Sequence, residues 1–278
     1  MATLLRTFLI LLQPTARSGA NMPPSGPLSV LITGANRGLG LGLVKQWLTL
    51  PTIKHIFACS RNPASAQELN ELSKNNSRIH CVQLDVNNDD SIADAKKKVD
   101  SILDGESGLN VLINNAGIKS REGGGLEDAD RNSYLEVLNT NVVSVVKVVQ
   151  AFLPLLKTAS KNNSTEEWGV HRSAIINISS ILGSIAINGS GSASCPSIPY
   201  RLSKASLNQL TRTLAADLKN DGILVCSICP GWVRTDMGGK NATLTIEEST
   251  KRQFETFLKL RKEHNGLFFQ NDGKKLAF

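Results

Sequence analysis

The chain has 278 residues, 31 of them basic and 24 acidic, for a formal charge of +7, with 41% hydrophobic and only 5% aromatic residues. That length and composition fit one large α/β domain, or two small ones, and argue against a disordered or fibrous chain. The basic residues are scattered and Lys96 to Lys98 is the one tight run, without interleaved aromatics. The charge therefore points to a phosphate-rich small ligand, and no nucleic-acid partner is expected.

Residues 1–27 differ from the rest. Arg6 and Arg17 are their charges, no acid precedes Glu68, and the apolar run Phe8 to Leu12 is too short to span a bilayer. They read as an N-terminal extension, disordered or targeting: a mitochondrial presequence, a weak signal-peptide core, or an untranslated lead to a start at Met22. No membrane span is expected, and the expected compartment is the cytoplasm, or the mitochondrion if residues 1–27 act as a presequence. Of five cysteines, Cys59, Cys81, Cys226 and Cys229 lie in apolar, strand-like surroundings, which suits reduced buried thiols. Cys226 and Cys229 form a C-x-x-C, yet in an extended strand they face opposite sides, so neither redox nor metal chemistry is expected of them.

Residues 28–278 read as one domain. Leu28 to Thr33 is a short apolar run followed by Gly34-Ala35-Asn36-Arg37-Gly38-Leu39-Gly40 and a periodic segment to about Leu50. Strand, glycine-rich turn and helix in that order make a first dinucleotide-binding β-α unit, whose amides approach a pyrophosphate at the helix N-terminus. His55 to Ser60 is the second strand. Arg61 follows it, where a carboxylate would repel a 2′-phosphate; with Arg37 in the glycine turn, this favours NADP over NAD. A helix over about 64–75 leads to a third strand, Ile79 to Leu84, ending at Asp85-Val86. A helix over about 89–103 precedes a fourth strand, Leu109 to Ile113, which runs into Asn114-Asn115-Ala116-Gly117. This alternation predicts a doubly wound parallel sheet of about seven strands with helices on both faces.

Tyr134 to Leu156 reads as one Val-rich helix with almost no polar face. Ala174 to Ile178 is the fifth strand and ends in Ser179-Ser180. A Gly/Ser stretch, 188–196, then separates Ser180 from Tyr200-Arg201-Leu202-Ser203-Lys204, and could line or lid a pocket. On a helix, Tyr200 and Lys204 share a face, which puts a phenol beside an ammonium able to lower its pKa. The sixth strand, Ile223 to Ile228, precedes Pro230-Gly231-Trp232-Val233-Arg234-Thr235, and residues 265–273 read as a last strand and turn.

Five motifs, T-G-x-x-x-G-x-G, N-N-A-G, Ser180, Tyr200 with Lys204, and Pro230-Gly231 followed by Thr235, stand in the order and spacing of the short-chain dehydrogenase/reductase family. From about residue 28 onward the chain resembles that family. The Cys229 to Gly239 stretch, the segment from Ser180 to Ile185 and the short tail resemble its sniffer and C-factor branch of NADPH-linked carbonyl reductases. The resemblance implies a catalytic set of Ser180, Tyr200, Lys204 and Asn141, the last holding a water beside the lysine. It implies an NADP(H) site of Gly34, Asn36, Arg37, Gly38, Leu39, Gly40, Arg61, Asp85, Val86, Asn115, Ala116, Gly117, Tyr200, Lys204, Pro230, Gly231, Val233 and Thr235, and no metal. It further implies a homodimer or homotetramer paired through the Val-rich helix and the helix of Tyr200, and a small-molecule aldehyde, ketone or quinone as substrate. Two alternatives stand beside the reductase: an NADP(H)-binding signalling or scaffold protein with little turnover, and an NAD-linked alcohol dehydrogenase. The stretch between Ser180 and Tyr200 is several residues longer than is usual in the family, and 237–261 reads as a specificity-bearing loop and helix.

Overall fold

The computed structural model describes residues 26–120, 122–165, 167–192 and 196–278. Runs rich in Val, Ile and Phe between turn signals become strands β1 Ser29–Thr33, β2 His55–Ser60, β3 Ile79–Gln83, β4 Val111–Asn114, β5 Ala174–Ile178, β6 Leu224–Cys229, β7 Phe268–Gln270 and β8 Lys275–Leu276. They form one sheet of order β3-β2-β1-β4-β5-β6-β7-β8, parallel except for the antiparallel β7–β8 pair. The strand order reverses between β1 and β4, which opens a crevice at the strands' carboxyl ends.

Seven helices cover the sheet: α1 Gly38–Leu48, α2 Gln67–Lys74, α3 Asp89–Ile102, α4 Arg131–Leu138, α5 Ser144–Asn162, α6 Ile198–Asp217 and α7 Ile246–Leu258. Side chains alternate along each strand, so adjacent residues feed different layers. Val30 and Ile32 meet α1, α2 and α7, where Trp47 and Phe254 pack edge to face at 5.2 Å. Leu31 and Leu112 meet α3, α5 and α6 on the other side. Helix starts follow local chemistry: Asn88 Oδ1 accepts from the Ser91 amide at 2.8 Å ahead of α3, and Thr245 with Glu248 forms a reciprocal capping box ahead of α7.

The doubly wound sheet is as expected, with one strand more than the seven predicted. The extra element, β8, has two residues, too few to carry a period of two. The single helix expected over 134–156 runs from Arg131 to Asn162 and is broken by a π-helical turn at Asn139–Val143. By length and mean hydropathy (1.6) this assembly is apolar enough to cross a membrane. Its inner face, from Val145 through Leu156, is nonetheless part of the core beneath the sheet. The expected extension lies outside the described residues except for Gly26 and Pro27, and the Pro27 carbonyl accepts from Thr52 Oγ1 at 3.3 Å. Cys226 packs in the α1–α7 layer while Cys229, three residues on, reaches the cleft, so the C-x-x-C residues do not face each other.

Candidate active site

The crevice is a cleft of about 1260 Å³ along the carboxyl ends of β1, β2, β3, β4, β5 and β6. Its floor is main chain. Gly34 turns out of β1 at φ +66°, where an added Cβ would lie 3.1 Å from the Ala116 Cα. The Thr33 hydroxyl accepts from the Asn115 and Ala116 amides, both at 3.0 Å, and the Asn115 side chain donates to the Thr33 and Gly34 carbonyls at 2.9 and 3.2 Å. These bonds weld the glycine turn to the end of β4. The amides that open α1 thus face the cleft, a geometry that binds phosphate.

Every residue expected in the dinucleotide site lines this cleft, as do Ser180, Tyr200 and Lys204. The two arginines differ. Arg61 is exposed at the rim beyond β2 and makes no ion pair among the described residues, whereas Arg37 is already paired across the cleft with Asp236. Beside Arg61, the buried Ser60 hydroxyl, which lines the same cleft, has no hydrogen-bond partner among the described residues. Such an orphan calls for a bound polar group. Asp85 is held locally, its carboxylate accepting from the Asn87 amide at 3.0 Å. Thr235 braces its own loop: its hydroxyl accepts from the Gly238 amide at 3.1 Å, and its amide donates to the Val233 carbonyl at 2.8 Å.

At the far end, α6 presents Tyr200 and Lys204 to the cleft, with the Lys204 Nζ 5.6 Å from the centre of the Tyr200 ring. Lys204 is 5% exposed and donates to the Ile178 carbonyl at 2.8 Å. Burial pushes its amine down to about 8, opposed by the neighbouring Cys229. Burial pushes the Cys229 thiol up, while the Gly231 and Ile181 amides and then Lys204 pull it the other way. Ser180, two residues beyond β5, is extended and caps the next 3-10 turn, its oxygen accepting from the Leu182 amide at 3.2 Å. The preceding Ser179 also borders the cleft, but its hydroxyl is engaged, donating to Asn208 Oδ1 at 2.7 Å, so Ser180 is the better placed of the two to meet a substrate.

Asn141 is the exception among the expected site residues: it lies behind the cleft wall. Its amide oxygen accepts from the Ile118 amide at 2.8 Å, and its nitrogen donates to the Ile118 carbonyl at 2.8 Å and to Ser203 Oγ at 2.9 Å. The side chain is spent on three protein partners, which pins the π turn to α6 and to the segment after β4. A water beside Lys204 would have to be held through the Asn141 main chain. Sequence reasoning passed over Ile118, Lys119, Trp232 and Gln270, all in the cleft lining, which Met237 of the expected specificity segment joins. Of the Gly/Ser stretch, residues 189–192 are exposed, Pro196 reaches the lining, and 193–195 lie outside the described residues.

The pattern of the short chain dehydrogenase family matches residues 29–244. The chain belongs to that family. Among solved structures, the carbonyl reductase Sniffer of D. melanogaster is 43% identical with a TM-score of 0.87, covering 91% of this chain and 100% of that one. An NADPH-bound carbonyl reductase from chicken fatty liver is 37% identical with a TM-score of 0.85, over 91% and 100% of the two chains. The C-signal protein of Myxococcus xanthus is 33% identical over 170 residues, 61% of this chain and 93% of its own.

Proposed function

We propose that this short-chain dehydrogenase is an NADPH-dependent carbonyl reductase, reducing an aldehyde, ketone or quinone to an alcohol. The observation that carries the reading is one cleft in which a phosphate-binding glycine turn opens at one end and Ser180, Tyr200 and Lys204 converge at the other. The glycine turn would hold the pyrophosphate, Arg61 with Ser60 the 2′-phosphorylated ribose, and the Val233–Thr235 loop the nicotinamide end. NADPH supplies the hydride. Ser180 donates a hydrogen bond to the substrate oxygen, and Tyr200 gives that oxygen its proton as charge develops there. Lys204, while protonated, favours the phenolate that this transfer leaves behind. Asn141 contributes by fixing the π turn against α6, and through its main chain a water that returns the proton.

The decisive measurement is NADPH oxidation by the purified protein over a panel of aldehydes, ketones and quinones. Tyr200→Phe keeps NADPH binding while turnover falls about 10²–10⁴-fold; turnover retained in that variant removes Tyr200 from the chemistry. The likeness to C-signal supports a second reading, in which the protein binds NADP(H) with little turnover, and a silent panel would favour it. Comparing both coenzymes in both directions separates an NAD-linked alcohol dehydrogenase. Self-association is proposed as well, because Leu135, Val143, Val146 and Leu202 are exposed on α4, α5 and α6 and on the π turn between them. A monomer in micromolar sedimentation runs would remove that proposal. Cytoplasmic residence is likewise proposed, and would be tested by fractionation.

A further inference from the structure

We infer that Ala277 and Phe278 act as a strap whose position sets the substrate wall of the active site, so that Ser184 and Phe278 are positioning residues for the carbonyl substrate. The wall in question is Ile181 and Leu182, which line the cleft directly after Ser180. The 3-10 turn over Ile181–Gly183 is clamped from two sides. On its inner side lies α6: the Asn208 amide donates to the Gly183 carbonyl at 3.4 Å, and a Cβ added at Gly183 would sit 2.7 Å from the Lys204 Cβ. On the other side lies the tail. The buried Ser184 hydroxyl donates to the Ala277 carbonyl at 2.7 Å, and the Ala186 amide donates to the Phe278 carbonyl at 2.9 Å.

The strap is itself anchored. The Phe278 ring stacks on the fully buried Phe268 of β7 at 5.9 Å, and the Arg212 guanidinium of α6 lies over the Phe278 ring at 5.9 Å. β8 is short, two residues antiparallel to β7, so these ring contacts and the two bonds to Ser184 and Ala186 supply most of what ties the tail to the wall. Beside it lies a half-open surface pocket of about 230 Å³ bordered by Gly183, Ile185, Asn208, Arg212 and Phe278. That space lets the 184–187 segment sink toward α6 if the strap is released, carrying Leu182 and Ile181 with it. The glycine turn, by contrast, is held by its own bonds to the end of β4, so coenzyme binding stays unchanged.

The inference rests on the reductase reading, and its test separates the two. Phe278→Ala and Ser184→Ala, with Ser184→Thr as the hydroxyl-retaining control, are compared with wild type by NADPH fluorescence titration, by kinetics on an aromatic quinone, and by amide hydrogen exchange. Expected are an unchanged NADPH Kd, which also certifies the fold, a quinone KM raised about fivefold in both alanine variants and restored in Ser184→Thr, and faster exchange at the Ala186 amide in Phe278→Ala. Ala186 exchange at the wild-type rate, a wild-type KM in an active background, or NADPH affinity lost by the same factor as KM overturns the strap. A wild-type protein inactive on every carbonyl sinks the reductase reading alone, and the exchange measurement then decides the strap.

Discussion

The two ends of the cleft are built from different material. At the coenzyme end, main chain does the work: Gly34 abuts Ala116, the Asn115 side chain grips two carbonyls of the β1 turn, and at Gly34 and Gly40 there is no slack for an added atom. At the substrate end, side chains do it, and they are loosely covered: Trp232 is 54% exposed, Met237 45% and Ile181 43%. A ligand that is always the same molecule can be met by rigid backbone. One that differs from enzyme to enzyme has to be met by replaceable side chains on loops.

That contrast breaks most visibly at Gly40. A Cβ there would run into the Gly34 carbonyl oxygen and come within 2.7 Å of Asn115 Nδ2, and neither can retreat without loosening the weld to β4. Gly40→Ala should therefore weaken NADPH binding about 10–100-fold, the equivalent of overpacking a closed site. A near-normal Kd would show that the coenzyme end is as forgiving as the substrate end.

Next in size is the pH response of Lys204, where the two ends meet. Its amine stands at about 8 in the folded protein against 10.5 for a solvent-exposed lysine of the unfolded chain. Below pH 8 both folded and unfolded chains hold the proton, and the full burial penalty applies; above 10.5 neither does, and the penalty is gone. Wild-type stability relative to Lys204→Met should thus be flat below pH 8 and rise between 8 and 10.5, by on the order of 3 kcal/mol. Urea melts of both proteins at pH 7, 9 and 10.5 check this, and a difference that stays constant would mean the amine is not desolvated. The same titration predicts that reductase turnover falls as pH rises through 8, because the cation that favours the phenolate disappears.

The coenzyme end was legible in the sequence for the reason it is rigid. Main-chain recognition forces glycines to fixed spacings, so Gly34, Gly38 and Gly40 announce it, and the Tyr200–Lys204 spacing follows from helical geometry. Ser60 escaped notice because its signal is an absent partner, visible only once β2 and β3 are packed. Asn141 was read as a water holder because its position matched; that its amide is spent on Ile118 and Ser203 depends on contacts 23 and 62 residues away in sequence. Trp232, Met237 and the strap at Phe278 carry no local pattern at all, and their roles exist only through tertiary contact.

Arg61 sharpens the comparison from the coenzyme side, since the proposed reading gives this side chain a discriminating task on a backbone floor. Arg37 must give up Asp236 before it can serve a phosphate, while Arg61 has no such debt. Arg61→Asp should then lower NADPH affinity about tenfold and leave NADH affinity within twofold, in line with one exposed charge-assisted contact. Equal losses for both coenzymes would remove the 2′-phosphate from Arg61.

The smallest effect should come from the substrate rim itself. The Trp232 indole, in the cleft lining, donates to the Gly238 carbonyl at 2.8 Å, which ties its ring to the loop that follows. An aromatic substrate can cover only part of a ring that stays half in solvent, so Trp232→Ala should raise the KM for a quinone about threefold to tenfold, a fraction of a full aromatic burial. A short aliphatic aldehyde, too small to reach the ring, should lose less, and the NADPH KM should not move. If the aldehyde and the quinone suffer equally, Trp232 acts by holding the Val233–Thr235 loop, and the substrate end would share the rigidity of the coenzyme end after all.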